Sequence, residues 1–293
     1  LMNKIIDFFK KNYFLIPVIL FVLIYFQSIF FGSVWEDDGL VDLPRYKNLN
    51  LVIKSFFRSE GGVHFLPFYN LQYFFIHLIF GKNAYPFGFH LYLFIAQIFV
   101  TLLATIVFYK ITENKLLSVL TVLFWIIHPI NLQVFTRLLV GAGVMGHGFC
   151  LAFLIFYLEL VKNPENKSKN LIFGNLFLLF ALLTGEMFVL SPVLLLLICF
   201  CKKRKSILNK NHLFLLQPFL IVLPIYFILR FIACRDTLLN ATSMSEDLMS
   251  WTETGSLKDI LFRMFWFSPQ LIIHYFKLYF FPYGLMDSAA EWY

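Results

Sequence analysis

The sequence predicts an all-α polytopic membrane protein of about eight transmembrane helices, each needing roughly 20 consecutive apolar residues. Composition is the first reason: 60% of the 293 residues are hydrophobic and only 14% are charged. Soluble domains run nearer about half apolar and about a quarter charged. The second reason is that the apolar residues fall in long runs. The third is the placement of lysine and arginine, which gather in short clusters between those runs, as cytoplasmic flanks do. Aromatic residues make up 20%, with 39 Phe, and suit lipid-facing and interface-facing helix surfaces.

Taken in order, Lys4, Lys10 and Lys11 precede a first apolar run at residues 13–32. It lacks a small-x-small cleavage site, so it predicts an uncleaved first helix rather than a signal peptide. That helix leads outward and leaves residues 33–84 as a large outer loop. Within the loop, Leu49, Val52, Ile53, Phe56 and Phe57 recur at near-helical spacing against Lys54, Ser55 and Arg58, the pattern of a helix lying in the interface. After Gly61-Gly62, residues 65–80 are apolar but hold Pro67, Asn70, Gln72 and His77. They predict a second surface or re-entrant helix.

Residues 85–109 return inward, with His90 and Gln97 on one helix face, where they predict hydrogen bonds between helices. Residues 116–127 go out again and stop at His128-Pro129, because proline cannot continue a helix. Residues 141–161 come back. A hairpin of residues 171–184 and 187–201 then turns on the outer side at Thr184-Gly185-Glu186. Residues 212–233 exit once more, with Pro218 and Pro224 expected to kink the helix, and a polar outer loop follows at 234–258. The last apolar run, 260–281, is interrupted by Arg263, His274 and Lys277, and either crosses or lies along the surface. The whole chain, 1–293, reads as one transmembrane module.

Sidedness follows from four basic clusters assigned to the cytoplasm: Lys4, Lys10 and Lys11; Lys110 and Lys115; Lys162, Lys167 and Lys169; and Lys202-Lys203-Arg204-Lys205 with Lys210. An even number of crossings must separate successive clusters, and the apolar runs supply it. The run at 202–205 marks the cytoplasmic side and suits anionic lipid rather than nucleic acid.

Several chemistries are disfavoured. Cys150, Cys199, Cys201 and Cys234 have neither disulfide-scaffold nor zinc spacing and read as small core residues. Gly141-Ala142-Gly143 lacks the strand-turn-helix setting of a nucleotide loop. Ser-His-Asp hydrolase spacing is absent. No metal and no cofactor is expected.

What remains is Val34-Trp35-Glu36-Asp37-Asp38-Gly39, three consecutive carboxylates where the first apolar run gives out. Carboxylates cost about 2.5–3.5 kcal/mol at a helix centre in the bilayer. The triplet reads either as a solvated loop start or as a catalytic group at the outer surface. The topology puts Glu36, Asp37, Asp38, His64, His128, Arg137, Glu186, Arg235 and Lys277 on that same outer side. His128 is also explained as a helix-end residue bonded to backbone, and Glu186 as polarity that keeps a hairpin tip in water.

The order of these features resembles the polytopic GT-C glycosyltransferases, above all the protein O-mannosyltransferase-like and tetratricopeptide-repeat transmembrane mannosyltransferase groups. Trp35-Glu36-Asp37-Asp38 resembles their paired acidic motif after the first helix. His64-Phe65-Leu66-Pro67-Phe68 resembles the loop before their second helix, and the stretch from Gly81-Lys82-Asn83 to His90 resembles the entry to it. Phe124-Trp125-Ile126-Ile127-His128-Pro129, Thr184-Gly185-Glu186 and Tyr279-Phe280-Phe281-Pro282-Tyr283-Gly284-Leu285 resemble three later landmarks in the same order. Leu66, Gln97 and Gly185 depart from the family pattern, which usually has arginine, histidine and lysine there. Members run on for several more helices, so the resemblance implies a longer protein.

The resemblance implies transfer of a sugar from a polyprenyl-phosphate-linked donor to a hydroxyl of a protein or glycolipid, with membrane lipid around the site. The site would face the non-cytoplasmic side of a bacterial inner membrane or the endoplasmic reticulum. It places Asp37 as general base, with Asp38 or Glu36 orienting the acceptor. Arg137, His128, Arg235 and Lys277 are candidates for the donor phosphate, and Glu186, His64 and His90 for other site roles. The alternative is a non-catalytic membrane protein such as a transporter or flippase of lipid-linked saccharide.

Overall fold

The structure, a computed structural model, describes residues 11–32, 47–57, 65–128, 143–162, 167–202 and 214–239. Among the described residues every regular element is helical. The chain divides into two units, Leu1–Arg235 and Asp236–Tyr293, and the contacts below all lie within the first.

Helix α1, Leu15–Tyr25, continues as a 3-10 turn over Phe26–Phe30. Helix α2, Leu49–Lys54, falls where the spacing predicts a helix. Asn48 caps it by accepting from the Asn50 N–H, which satisfies one of the donors a helix start leaves open. Its Val52 is buried and its neighbour Phe56 meets Phe68 edge-on at 6.3 Å. Helix α3, Pro67–Phe80, opens with Pro67 in its first turn, where the missing N–H is no loss. One face of α3 is packed, with Tyr73 and Ile76 buried, while Phe75, Leu78 and Ile79 are exposed.

A π-helical turn, Ala84–Gly88, leads into α4, Phe89–Thr112. Glu113 in the left-handed conformation, with φ 58°, closes α4. Asn114 then caps α5, Lys115–Ile127, by accepting from the Leu117 N–H at 3.1 Å. Two long helices follow, α6 at Val144–Lys162 and α7 at Lys167–Thr184. A 3-10 turn, Glu186–Leu190, joins α7 to α8, Ser191–Lys202. A π-helical turn at Pro218–Val222 precedes α9, Leu223–Leu239. Both π-helical turns contain a proline, Pro86 and Pro218, which lacks an N–H for the regular ladder. One boundary differs from expectation: α9 runs to Leu239 instead of stopping at 233, because Arg235-Asp236-Thr237-Leu238-Leu239 holds no glycine or proline to end it. The proposed outer loop at 234–258 therefore begins inside a helix.

Three helices are long and apolar enough to cross a membrane, Ala84–Thr112, Val144–Lys162 and Phe214–Cys234. Leu15–Phe30 and Lys115–Ile127 are apolar but shorter. These match five of the expected runs, three of them at full spanning length. The run at 260–281 lies outside the described residues.

Helices α6 and α7 form the most extensive pairing. Gly174 makes it possible: a Cβ there would stand 2.7 Å from a ring carbon of Tyr157. The Tyr157 hydroxyl donates to Asn175 Oδ1 at 2.6 Å, and Asn175 in turn donates to Gln217 Oε1 at 3.3 Å, which ties α7 to the segment leading into α9. Helix α3 leans on the same pair, its Phe68 stacked on Phe180 at 4.8 Å. Helix α4 packs between α6, α5 and α1, where the Tyr25 hydroxyl donates to the Ile126 carbonyl at 2.8 Å.

Charged residues collect at the helix ends. Lysines occupy the last turns of α4, α6 and α8, where they complement the negative end of each helix dipole. Lys110 pairs with Glu159, and Lys202 with Glu113 at 3.2 Å. The Lys202 amine also donates to the Lys110 carbonyl. Its hydrogen bond and charge hold the Glu113 carboxyl below the usual carboxylate range. Lys115 lies over the Tyr13 ring, and Lys167 over Phe214. All five of these contacts involve lysines assigned to cytoplasmic flanks, so those separate clusters meet at one end of the bundle.

Two outcomes are expected. Gly174→Ala should lower stability by about 1–3 kcal/mol, the usual effect of overpacking, because Tyr157 is fully buried and bonded and has nowhere to move. Thermal unfolding in detergent measures it, and an unchanged midpoint would mean that α6 and α7 do not meet through this glycine. In intact cells, Gly39→Cys should take a membrane-impermeant thiol reagent and Ser206→Cys should not. The reverse pattern would invert the topology.

Candidate functional site

Gly185 ends α7 with an extended backbone, φ −168° and ψ 138°, and the turn after it is pinned rather than free. Phe188 of that turn lies on Gly146 at the start of α6, where a Cβ would stand only 2.3 Å from its ring. Its ring also meets His147 edge-on at 5.1 Å, and the Gly143 carbonyl is 2.9 Å from His147 Nδ1. The hairpin tip is thereby locked onto the start of the preceding helix.

That lock positions Glu186. Its Oε2 lies 2.9 Å from Arg230 Nη2, and its Oε1 accepts from the Phe65 N–H at 3.4 Å. Each partner of the ion pair is only about a quarter exposed, 28% for Glu186 and 27% for Arg230. Phe65 is buried and its ring lies 6.1 Å from that of Tyr226. Tyr226 precedes Arg230 by four residues, so both occupy one face of α9. Three segments distant in sequence therefore converge: the residue after His64, the hairpin tip and α9.

Arg230 is the residue that the sequence reading missed. Its signal was present, since it is a lone arginine inside an apolar run, and a charge within a membrane helix marks function by default.

His90 is buried, and its Nε2 stands 3.3 Å from the Gly32 carbonyl, which accepts from it. Its ring also meets Phe31 edge-on at 6.3 Å. The expected contact between helices is thus made to the end of the first one. Gln97 is buried too, but its Oε1 has no hydrogen-bond partner among the described residues.

His128 ends α5. Its N–H donates to the Trp125 carbonyl at 3.2 Å and its ring meets Phe124 at 5.9 Å, which fits the helix-end reading. Glu36, Asp37, Asp38, His64, Arg137 and Lys277 lie outside the described residues, as does the expected proximity of Glu186 to the acidic triplet. Arg235 falls on α9, with its side chain outside the description. Cys199 and Cys234 are buried, and Cys150 Sγ is 3.1 Å from Ser191 Oγ. Among the described residues no group of three or more His, Cys, Asp or Glu is placed to hold a metal.

Compared with protein-family profiles, curated proteins and solved structures, the chain matches none. The chemistry of the site must therefore be argued from its geometry. A guanidinium has five N–H donors in a planar fork, more than one carboxylate oxygen takes, and that fork suits phosphate. Glu186 orients it, and the Phe65 N–H orients Glu186.

Partial burial places the pair between exposed ion pairs, worth about 0.2–1 kcal/mol, and fully buried ones, whose breaking costs about 3–5 kcal/mol. A double-mutant cycle of Glu186→Gln and Arg230→Gln should therefore give a coupling of about 1–2 kcal/mol in thermal or denaturant unfolding. Strictly additive effects would mean that the two side chains do not interact.

Proposed function

We propose that this chain acts as a GT-C-type membrane glycosyltransferase. It moves a sugar from a polyprenyl-phosphate donor to a hydroxyl of a protein or glycolipid at the non-cytoplasmic membrane face. The observation that carries this reading is the convergence of Phe65, Glu186 and Arg230. Two of the stretches that resemble family landmarks, 64–68 and 184–186, are distant in sequence yet share a hydrogen bond, and an arginine stands beside it. The contact of His90 with Gly32 adds a second such link, from the stretch 81–90 to the residue where the first apolar run ends.

The chemistry needs few groups. The acceptor oxygen attacks the anomeric carbon, the bond from that carbon to the phosphate oxygen breaks, and the lipid phosphate leaves with the electron pair. Phosphate is already a good leaving group, so acid catalysis contributes little. A base must take the acceptor proton, and Asp37 has that role, with Asp38 or Glu36 aiming the acceptor. Adjacent carboxylates raise one another's proton affinity toward a useful range. Arg230, held by Glu186, joins Arg137, Arg235, His128 and Lys277 as a group to stabilise charge on the departing phosphate. No metal or cofactor enters the scheme.

The test uses the full-length protein in membranes with a lipid-linked sugar donor. Asp37→Asn keeps the size and much of the hydrogen bonding of aspartate but cannot accept the proton. Transfer should fall by at least about 100-fold, the lower end for loss of a general base, while donor binding is nearly kept. Arg230→Gln should instead weaken donor binding by at least about tenfold, since hydrogen bonds to charged groups are worth about 1.5–3 kcal/mol. A transporter of the same donor would be indifferent to Asp37→Asn. Normal transfer by Glu36→Gln, Asp37→Asn, Asp38→Asn and the triple variant would end the catalytic reading.

A further inference from the structure

A cavity of about 740 Å³ opens at the end of the bundle opposite Glu186 and Arg230. It lies between the ends of α4, α6 and α8 and the segment leading into α9. Lys110, Lys162 and Lys202 line it together with Glu113, while Leu158 and Leu215 give it apolar wall. That size falls within the range of about 300–1,000 Å³ typical of small-molecule sites. Three amines and apolar wall in one cavity suit an amphiphile with an anionic head.

The charges can be followed one by one. Lys110 pairs with Glu159, and Lys202 pairs with Glu113, whose side chain is 71% exposed. An ion pair so exposed to water contributes little to stability, so a phosphate can compete for Lys202 at little cost. Lys162 is exposed and has no ion-pair partner among the described residues. Three lysines against Glu113 and Glu159 leave the cavity cationic, and Lys203-Arg204-Lys205 follow directly in sequence. Three helices end here, but α5 and α7 begin here, so their dipoles roughly offset and the formal charges decide.

We infer that this cavity is a binding site for the headgroup of an anionic phospholipid, at the face opposite the proposed transfer site. The lysines take the phosphate, and the apolar wall takes the start of the acyl chains. Basic pockets between membrane helices on the cytoplasmic side serve other proteins in this way. The site does not depend on the glycosyltransferase reading.

The test is a thermal-shift titration of the purified full chain in neutral detergent with dioleoyl phosphatidylglycerol, with dioleoyl phosphatidylcholine and with inorganic phosphate. Native mass spectrometry counts the lipid retained. Phosphatidylglycerol should raise the melting midpoint and stay bound, while phosphatidylcholine should do neither. Lys162→Gln and Lys202→Gln should each weaken the apparent affinity about fivefold, the weight of one lysine at an anionic lipid surface. Lys167→Gln lies at the same end but outside the lining and should leave it unchanged. Because Lys162 is exposed and has no ion-pair partner among the described residues, Lys162→Gln tests the site even if Lys202→Gln folds poorly. An equal shift with phosphatidylcholine, unchanged affinity in Lys162→Gln, or the same shift from inorganic phosphate at equal concentration would overturn the proposal, the last in favour of a free-anion site.

Discussion

Charge is costly among apolar helices, and much of the described architecture follows from that. A charged side chain at the centre of a membrane helix costs about 2.5–3.5 kcal/mol on insertion scales. The backbone groups must be satisfied within each segment, which restricts the chain to helices. Of the described ion pairs, Lys110–Glu159 and Lys202–Glu113 sit at helix ends at one end of the bundle, while at the other Glu186, on its turn, holds Arg230, which lies within α9. Between them the buried polar groups are neutral, and several are satisfied locally. Thr105 donates to the Thr101 carbonyl four residues back at 2.8 Å, and Ser118 to the Lys115 carbonyl at 2.8 Å.

With charge removed, aromatic rings packed on glycine hold the helices together. Tyr157 on Gly174 joins α6 to α7, and Phe188 on Gly146 joins the hairpin tip to the start of α6. Without a Cβ at these positions the ring comes close to the backbone, close packing that lipid tails cannot equal. The second contact reaches beyond stability. Phe188 and Glu186 belong to one short turn, so seating that ring also sets where the Glu186 carboxylate points. A neutral packing contact in this way controls the direction of a charge toward Arg230.

Much of the helical layout was legible in the sequence because membrane spans announce themselves by length and apolarity. His128-Pro129 is a recognisable helix stop. Glu186 could be placed at a hairpin tip from Gly185 and the apolar runs on either side. Its partners could not. Arg230 and the Phe65 N–H lie 44 and 121 residues away from it in sequence, and no periodicity encodes a contact of that range. Arg230 was also masked by its surroundings, since a window dominated by leucine, isoleucine and phenylalanine reads as an uninterrupted span. The end of α9 was misjudged for a related reason: loss of hydropathy after Cys234 marks the edge of the apolar slab, whereas a helix stops only where its residues stop it.

The Glu186–Arg230 pair is hard to explain as a stability device. Removing two partly buried charges from water offsets much of their attraction, and hydrophobic replacements of such pairs are often neutral or stabilising. Placement explains it better. The pair is neutral as a whole, so it can sit near the membrane boundary at modest cost, yet it keeps a guanidinium fork in a fixed direction because Glu186 is itself anchored by the Phe65 N–H and by Phe188 on Gly146. A phosphate arriving from the lipid side would meet an oriented donor set instead of a mobile arginine, and would lose less entropy in binding it. Under the proposed reading, the carboxylate at the hairpin tip serves transfer by holding the cation, while the acidic triplet near Gly32 carries the proton chemistry. Those two tasks call for opposite environments: a carboxylate held against arginine stays ionised, and one crowded by other carboxylates gains proton affinity.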